Sequence, residues 1–277
     1  MPTYMHIDRT DVTAEKEDQV QFRRSKLEFS PEVKEIEKQL EQDPTNVELW
    51  MQKGKALSKQ SLFVEAIEAY SMGLSYNPFH ALTYRHRGHR YISVRRYREA
   101  AADFELSLRL DPTNWDSWYH LGLAYYLLGD YQRAAKAYQG CLDITTTSDA
   151  MVAIVDWYWM TAKRLGDEEK AAQLLELVDE DTDPGENLSY KNRVLMYKGL
   201  IAPEKLMDWE GAEFPELEIA TQGYGLSNYY YVNGQLEKSN QVLKQILSIK
   251  SFWSAFGFLA AVADAQARGL DYEQVNL

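Results

Sequence analysis

Residues 44–77 read PTNVELWMQKGKALSKQSLFVEAIEAYSMGLSYN, residues 78–111 read PFHALTYRHRGHRYISVRRYREAAADFELSLRLD, and residues 112–145 read PTNWDSWYHLGLAYYLLGDYQRAAKAYQGCLDIT. Each begins with a proline that follows Asp or Asn, and Pro44, Pro78 and Pro112 stand 34 residues apart. On that period Trp50, Tyr84 and Trp118 form one column, and Gly54, Gly88 and Gly122 the next. Leu57, Tyr91 and Tyr125 coincide, as do Ala66, Ala100 and Ala134, and then Tyr70, Phe104 and Tyr138. Five columns shared by three consecutive segments make a repeat, and a period of this length signals stacked supersecondary units.

The columns have a physical reading. Each segment is two helices joined by a tight turn, such as Leu128-Gly129-Asp130-Tyr131. The glycine and alanine columns let paired helices approach closely, and the aromatic columns fill the space that remains. Asp-Pro or Asn-Pro ends each second helix, because proline disfavours helical geometry in the residue before it.

Trp, Gly, Tyr, Ala, Phe and Pro at these offsets resemble the tetratricopeptide-repeat pattern. The resemblance implies an all-α fold, a right-handed α-solenoid of helix–turn–helix units. Beyond residue 148 the pattern wears but continues. Leu165-Gly166-Asp167 with Ala171-Ala172 and Leu175 repeats the third unit's turn and second helix. A shorter pair is expected at about Leu188–Gly199 and Pro203–Gly211, then Tyr224–Val232, Asn233-Gly234 and Leu236–Ile249. Upstream, Ser30-Pro31-Glu32 is a helix start with Ser at the cap and Pro at the first helical position. The expected division is an N-terminal extension with capping helices (1–46), three strong units (47–148), degenerate units (149–251), and a C-terminal capping helix with a tail (252–277).

The worn half carries a narrower likeness. The order of Trp157-Tyr158-Trp159, Tyr197-Lys198-Gly199, Ile201 with Glu204-Lys205-Leu206, Tyr229-Tyr230 with Gly234, and Phe252-Trp253 resembles the bacterial tetratricopeptide lipoprotein family NlpI. That likeness implies a bacterial adaptor. The lipoprotein signal of that family is absent here, so its compartment and partner do not carry over.

Composition narrows the function. The 277 residues carry a formal net charge of −12, which opposes binding to nucleic acid or an anionic membrane. A single cysteine, Cys141, fits a reducing compartment, and a cytoplasmic location is expected. No apolar run reaches the ~18 residues of a membrane span. No nucleophile motif, phosphate loop or zinc spacing appears, so no catalytic residue, metal ligand or cofactor is assigned. Gly223-Tyr224-Gly225 lacks the strand and Gly-Lys of a phosphate loop and reads as helix packing.

Carrying the family's ligand-contacting offsets onto this chain gives a peptide-binding groove at Lys55, Arg85, His86, His89, Tyr119, His120, Tyr126, Trp157 and Met160. Cations beside flat aromatic rings suit a protein or peptide partner with acidic and aromatic groups. Met51, Lys55, His86, Asp116 and His120 stand where one subclass grips chaperone C-terminal carboxylates with Lys, Asn, Asn, Lys and Arg. An Asp in that set repels a carboxylate, so the chaperone clamp is not expected. The leading reading is therefore a non-enzymatic adaptor, ahead of a ligand-sensing regulatory module and of a His-dependent metal site or enzyme built on His86, His89 and His120.

Three further stretches are open to two readings each. Six arginines between Arg85 and Arg98 form either an anion patch or a solvated turn paired with Asp103 or Glu105, the second reading being favoured. The acidic run Glu176–Glu186 is expected to be a mobile loop, available to the arginine turn of a second copy. The apolar segment Phe252–Arg268 either folds back on the preceding pair and on Val275 and Leu277, or forms a homodimer contact.

Overall fold

A computed structural model describes residues 28–207 and 213–271. They are all-α, and the chain divides into two compact units, one ending at Leu121 and one running from Gly122. Expectations placed on residues 1–27, on Gly211 and on Val275 and Leu277 fall outside the described residues. No helix among the described residues is long and apolar enough to cross a membrane.

In the first unit, α1 (Pro31–Gln42), α2 (Val47–Lys59), α3 (Phe63–Tyr76), α4 (Ala81–Ser93) and α5 (Tyr97–Leu110) lead into α6 (Trp115–Leu127). The caps follow the repeat. Ser30 Oγ accepts from the Val33 amide ahead of Pro31 at the first helical position, as its sequence predicts. Asn46 and Asn114, two periods apart, cap α2 and α6 by accepting from the Leu49 and Ser117 amides. Trp50 Nε1 donates to the Pro44 carbonyl at 2.8 Å and Trp118 Nε1 to that of Pro112 at 2.9 Å. Each indole thereby ties its helix, α2 or α6, to the turn that precedes it.

The turns inside the repeats reverse through one left-handed residue at a constant register, Ser61 (φ 58°), Arg95 (φ 59°) and Gly129 (φ 73°). The glycine column explains itself at close range. A Cβ on Gly54 would meet the Tyr70 ring at 2.4 Å, and one on Gly88 the Phe104 ring at 3.0 Å. Only a residue without a side chain lets those helices close on their aromatic partners.

The second unit continues from α6 with α7 (Tyr131–Asp143), α8 (Ser148–Leu165), α9 (Glu168–Leu175), α10 (Leu188–Tyr197), a single 3-10 turn (Pro203–Met207), α11 (Pro215–Val232), α12 (Leu236–Leu247) and α13 (Phe256–Arg268). Asp130 and Asp167 cap α7 and α9 after left-handed glycines, so the Leu-Gly-Asp turns recur as expected. Among the described residues, the second member of the shorter pair holds the 3-10 turn Pro203–Met207, and residues 208–211 of that expectation lie outside them. Helix α11 packs against both α8 and α10.

Two expectations change here. The C-terminal helix begins at Phe256, because the chain turns through Phe252 at φ 57°. Its apolar residues Phe258, Leu259, Val262 and Ala265 are buried within the unit against α11 and α12, as the fold-back reading expects. The acidic run is also a fastened turn rather than a loose loop. Lys191 Nζ donates to the carbonyls of Glu180 and Thr182, and Lys198 Nζ to that of Val178.

Candidate functional site

The first unit gathers six of the sequence-assigned residues on its first helices. Lys55 of α2 is exposed, Arg85, His86 and His89 of α4 are half-buried, and Tyr119 and His120 of α6 are buried. Arg85 pairs with Asp116 at 2.6 Å, and its Nη1 also donates to His86 Nδ1 at 3.1 Å. His120 Nδ1 donates to the Asp116 carbonyl at 2.6 Å. The His120 ring lies 4.6 Å from that of His89 and 5.7 Å from that of Phe104, while His86 stacks on Tyr70 at 5.9 Å.

Burial and neighbouring cations keep these imidazoles neutral. His86 is lowered to about 3, first by burial and then by Arg85, Lys55 and Arg90. His120 falls to about 4 by burial and Arg85. His89 lies well below the ordinary histidine range, through burial and then His120. Among the described residues, no group of three or more His, Cys, Asp or Glu is placed to hold a metal ion.

The same face holds more positive charge than it neutralises. Arg90, one turn beyond His86 and not among the groove positions assigned from sequence, stacks on Phe63 with its guanidinium 4.8 Å from the ring centroid. Neither Arg90 nor Lys55 forms an ion pair among the described residues. Burial lowers Arg90 to about 10, with Arg85 adding to the effect. Arg85 Nε is buried without a hydrogen-bond partner. The arginine run is thus split. Arg87 makes two 2.7 Å hydrogen bonds to Asp103, the partner the solvated-turn reading named though the pair is largely buried, and Arg96 pairs with Glu99, whereas Arg90 forms no ion pair among the described residues.

The other three assigned residues lie in the second unit and are not presented on a surface. Trp157 and Met160 are fully buried and Tyr126 nearly so. Trp157 stacks on Tyr224 of α11 at 5.9 Å, with the Arg193 guanidinium of α10 over its ring. Tyr126 hydrogen-bonds Tyr224 at 2.8 Å. Helix α11 packs on α8 and covers these side chains. Gly225 of α11 is where Arg193 passes, and a Cβ there would lie 2.1 Å from Nε, so Gly223-Tyr224-Gly225 is packing, as read.

Two buried charge clusters organise that unit, and neither is assigned from the sequence. Arg193 of α10 pairs with Asp156 of α8 at 2.9 Å, both without solvent exposure, and Tyr197 donates to Asp156 at 3.2 Å. Burial pushes Asp156 up to about 7 against the pull of Arg193. Asp264 of α13 accepts from Arg164 of α8 at 2.5 Å and from Arg268 at 2.8 Å, and both guanidiniums flank Tyr231 at 4.3 and 4.1 Å. The signal that could have found them is a charged residue inside an apolar helical stretch, which must be paired when buried.

Residues 86–149 match the tetratricopeptide repeat family. The chain is 21% identical over 241 residues to anaphase-promoting complex subunit 3 of Schizosaccharomyces pombe, covering 86% of this chain and 34% of that protein. It is 29% identical over 109 residues to the Hsp70-Hsp90 organizing protein of Triticum aestivum, covering 39% and 19% respectively. It is 31% identical over 97 residues to the small glutamine-rich tetratricopeptide repeat-containing protein 2 of Saccharomyces cerevisiae, covering 35% and 28%. The chain therefore spans about a third or less of the length of these relatives. Among solved structures, a tetratricopeptide repeat protein from Parabacteroides merdae aligns with a TM-score of 0.56 at 15% identity, over 84% of this chain and 91% of that one. YrrB, described as a TPR protein with an unusual peptide-binding site, aligns at 0.50 and 17% identity over 86% and 100%. Both share the fold.

Proposed function

From the premise that this chain is a tetratricopeptide-repeat protein, we propose that it is a non-enzymatic adaptor whose first unit binds an acidic protein segment. The observation that carries this is the set of cations around His86. Lys55, Arg85 and Arg90 all disfavour a proton on that imidazole, and Asp116 acts the other way. A half-buried guanidinium without a counter-charge is costly, and an acidic side chain from a partner supplies what is missing. The half-buried ring of His86 offers a flat surface beside it. The relatives support an interaction role by their names, an organizing protein and a complex subunit. The cytoplasmic reading rests on a lone, buried cysteine.

The test is fluorescence anisotropy of the full chain against extended peptides that differ only in Glu-to-Gln content. Acidic peptides should bind, more weakly as salt rises, and Arg90→Ala should weaken them about tenfold, the scale of a loss near 1.4 kcal/mol. Equal binding of acidic and amide peptides, or none of either, defeats the reading. A second reading, sensing of a small anion, draws on the same cations. It predicts that citrate or phosphate raises the melting temperature of the wild type and not of Arg90→Ala.

A further inference from the structure

Charge is unevenly divided along the chain. Residues 28–121 carry 12 basic and 14 acidic side chains, and residues 122–271 carry 13 and 22. The acidic excess is concentrated in the second unit. In the first, no Asp or Glu occurs between Glu68 and Glu99, the stretch that contains all of α4.

The densest part of the acidic excess is the turn between α9 and α10. Glu176, Asp179, Glu180, Asp181, Asp183 and Glu186 are exposed, with no basic residue among them. None forms an ion pair among the described residues. The two lysines that fasten the turn bond its backbone carbonyls and leave its carboxylates free. Asp179 accepts from Asp181 and Thr182 within the turn, which holds its carboxyl below the usual range and so charged. Leu177, beside Glu176, is 44% exposed. The turn is a shaped segment carrying one exposed leucine and six exposed carboxylates, none in an ion pair among the described residues.

We propose that this turn of one copy docks on the Lys55–Arg85–Arg90 face of a second copy of the chain. The proposal rests on the reading of that face as a site for acidic segments, and goes further in naming the occupant. On the face, Lys55 and Arg90 form no ion pair among the described residues; the turn has spare carboxylates beside a leucine. Opposite potentials steer such surfaces together and fix their register. Face and turn are different surfaces, so the contact is heterologous. A dimer formed this way keeps one free face and one free turn, and growth continues with concentration unless the assembly closes into a ring.

Sedimentation velocity of the full chain over a wide concentration range tests this. At low salt the weight-average sedimentation coefficient should rise with concentration, and near 1 M salt, where the Debye length is about 3 Å, it should return to the monomer value. Lys55→Glu, at an exposed position, and the paired change Glu180→Lys with Asp181→Lys should each remain monomeric. Mixed together they should form a heterodimer that grows no further, since one retains the turn and the other the face. A wild type that stays monomeric throughout, or variants that assemble like the wild type, overturns the proposal. A labelled, end-capped 176–186 peptide separates the two claims. If it binds the wild type about tenfold more tightly than Lys55→Glu while the chain stays monomeric, self-docking is wrong and the acidic-segment site stands. If neither the peptide nor the chain binds, both fall.

Discussion

Gly122 lies so close beneath the ring of Tyr138 that a Cβ on it would sit 2.4 Å from a ring carbon. Tyr138 has no solvent exposure and cannot swing away. Gly122→Ala should therefore destabilise by about 1–3 kcal/mol, the usual cost of overpacking, despite the better helix propensity of alanine. Urea denaturation measures it. An unchanged midpoint would mean the helices can separate without cost.

Ser61 is exposed and holds a left-handed φ of 58° where the third repeat uses Gly129. A non-glycine residue there costs on the order of 1 kcal/mol. Ser61→Gly should recover part of that strain, set against the extra freedom glycine brings to the unfolded chain. A small rise in melting temperature is expected, and a fall would show that the turn is relaxed as it stands.

Acid should weaken the first unit through its histidines. Their native values lie below the ordinary 6.5, at about 3 for His86 and about 4 for His120. Below pH 6.5 the unfolded chain binds protons that the folded chain refuses. The stability they lend is full above pH 6.5 and is lost as pH falls toward those native values. Asp156 has the opposite sign. Pushed up to about 7, it takes a proton in the folded state first, and favours folding as pH descends from 7 toward the ordinary carboxylate range. Burial raises Asp103 in the same direction; with three histidines against these two carboxyls, the urea midpoint should drop between pH 7 and pH 5, and His86→Gln should reduce that drop. An identical slope in wild type and variant would refute the assignment.

Asp264 is shared by Arg164 and Arg268, so Asp264→Ala strands two largely buried guanidiniums. The expected loss is about 3–5 kcal/mol. Hydrogen exchange should rise in residues 256–268, with α2 and α3 left as protected as before. Uniform loss of protection would instead mean that α13 is not separately anchored.

The repeat was legible because its physics is local. Gly54 needs Tyr70 and Trp50 needs the Pro44 carbonyl, and both partners lie within one period. Lys55, Arg85, His86 and His89 were legible as reachable positions for the same reason. Tyr126, Trp157 and Met160 were not. A family offset tells which face of a first helix a residue occupies, and not whether another helix covers that face. Here the cover is α11, whose Tyr224 lies against both Trp157 and Tyr126. Arg164 with Asp264 could not be paired from sequence, since 100 residues separate them.

That separation also orders events in time. Gly54 and Tyr70, Gly88 and Phe104, and Gly122 and Tyr138 are each 16 residues apart, so each contact closes a short loop. Tyr126 with Tyr224 closes one of 98 residues. Short-range contacts form at little loop-closure cost and long-range ones at more. The hairpins of α2 with α3 and α4 with α5 are therefore expected to nucleate folding, with the Tyr126–Tyr224 and Arg164–Asp264 links forming after the transition state. Changes at the glycine column should slow folding, whereas a change at Asp264 should chiefly hasten unfolding.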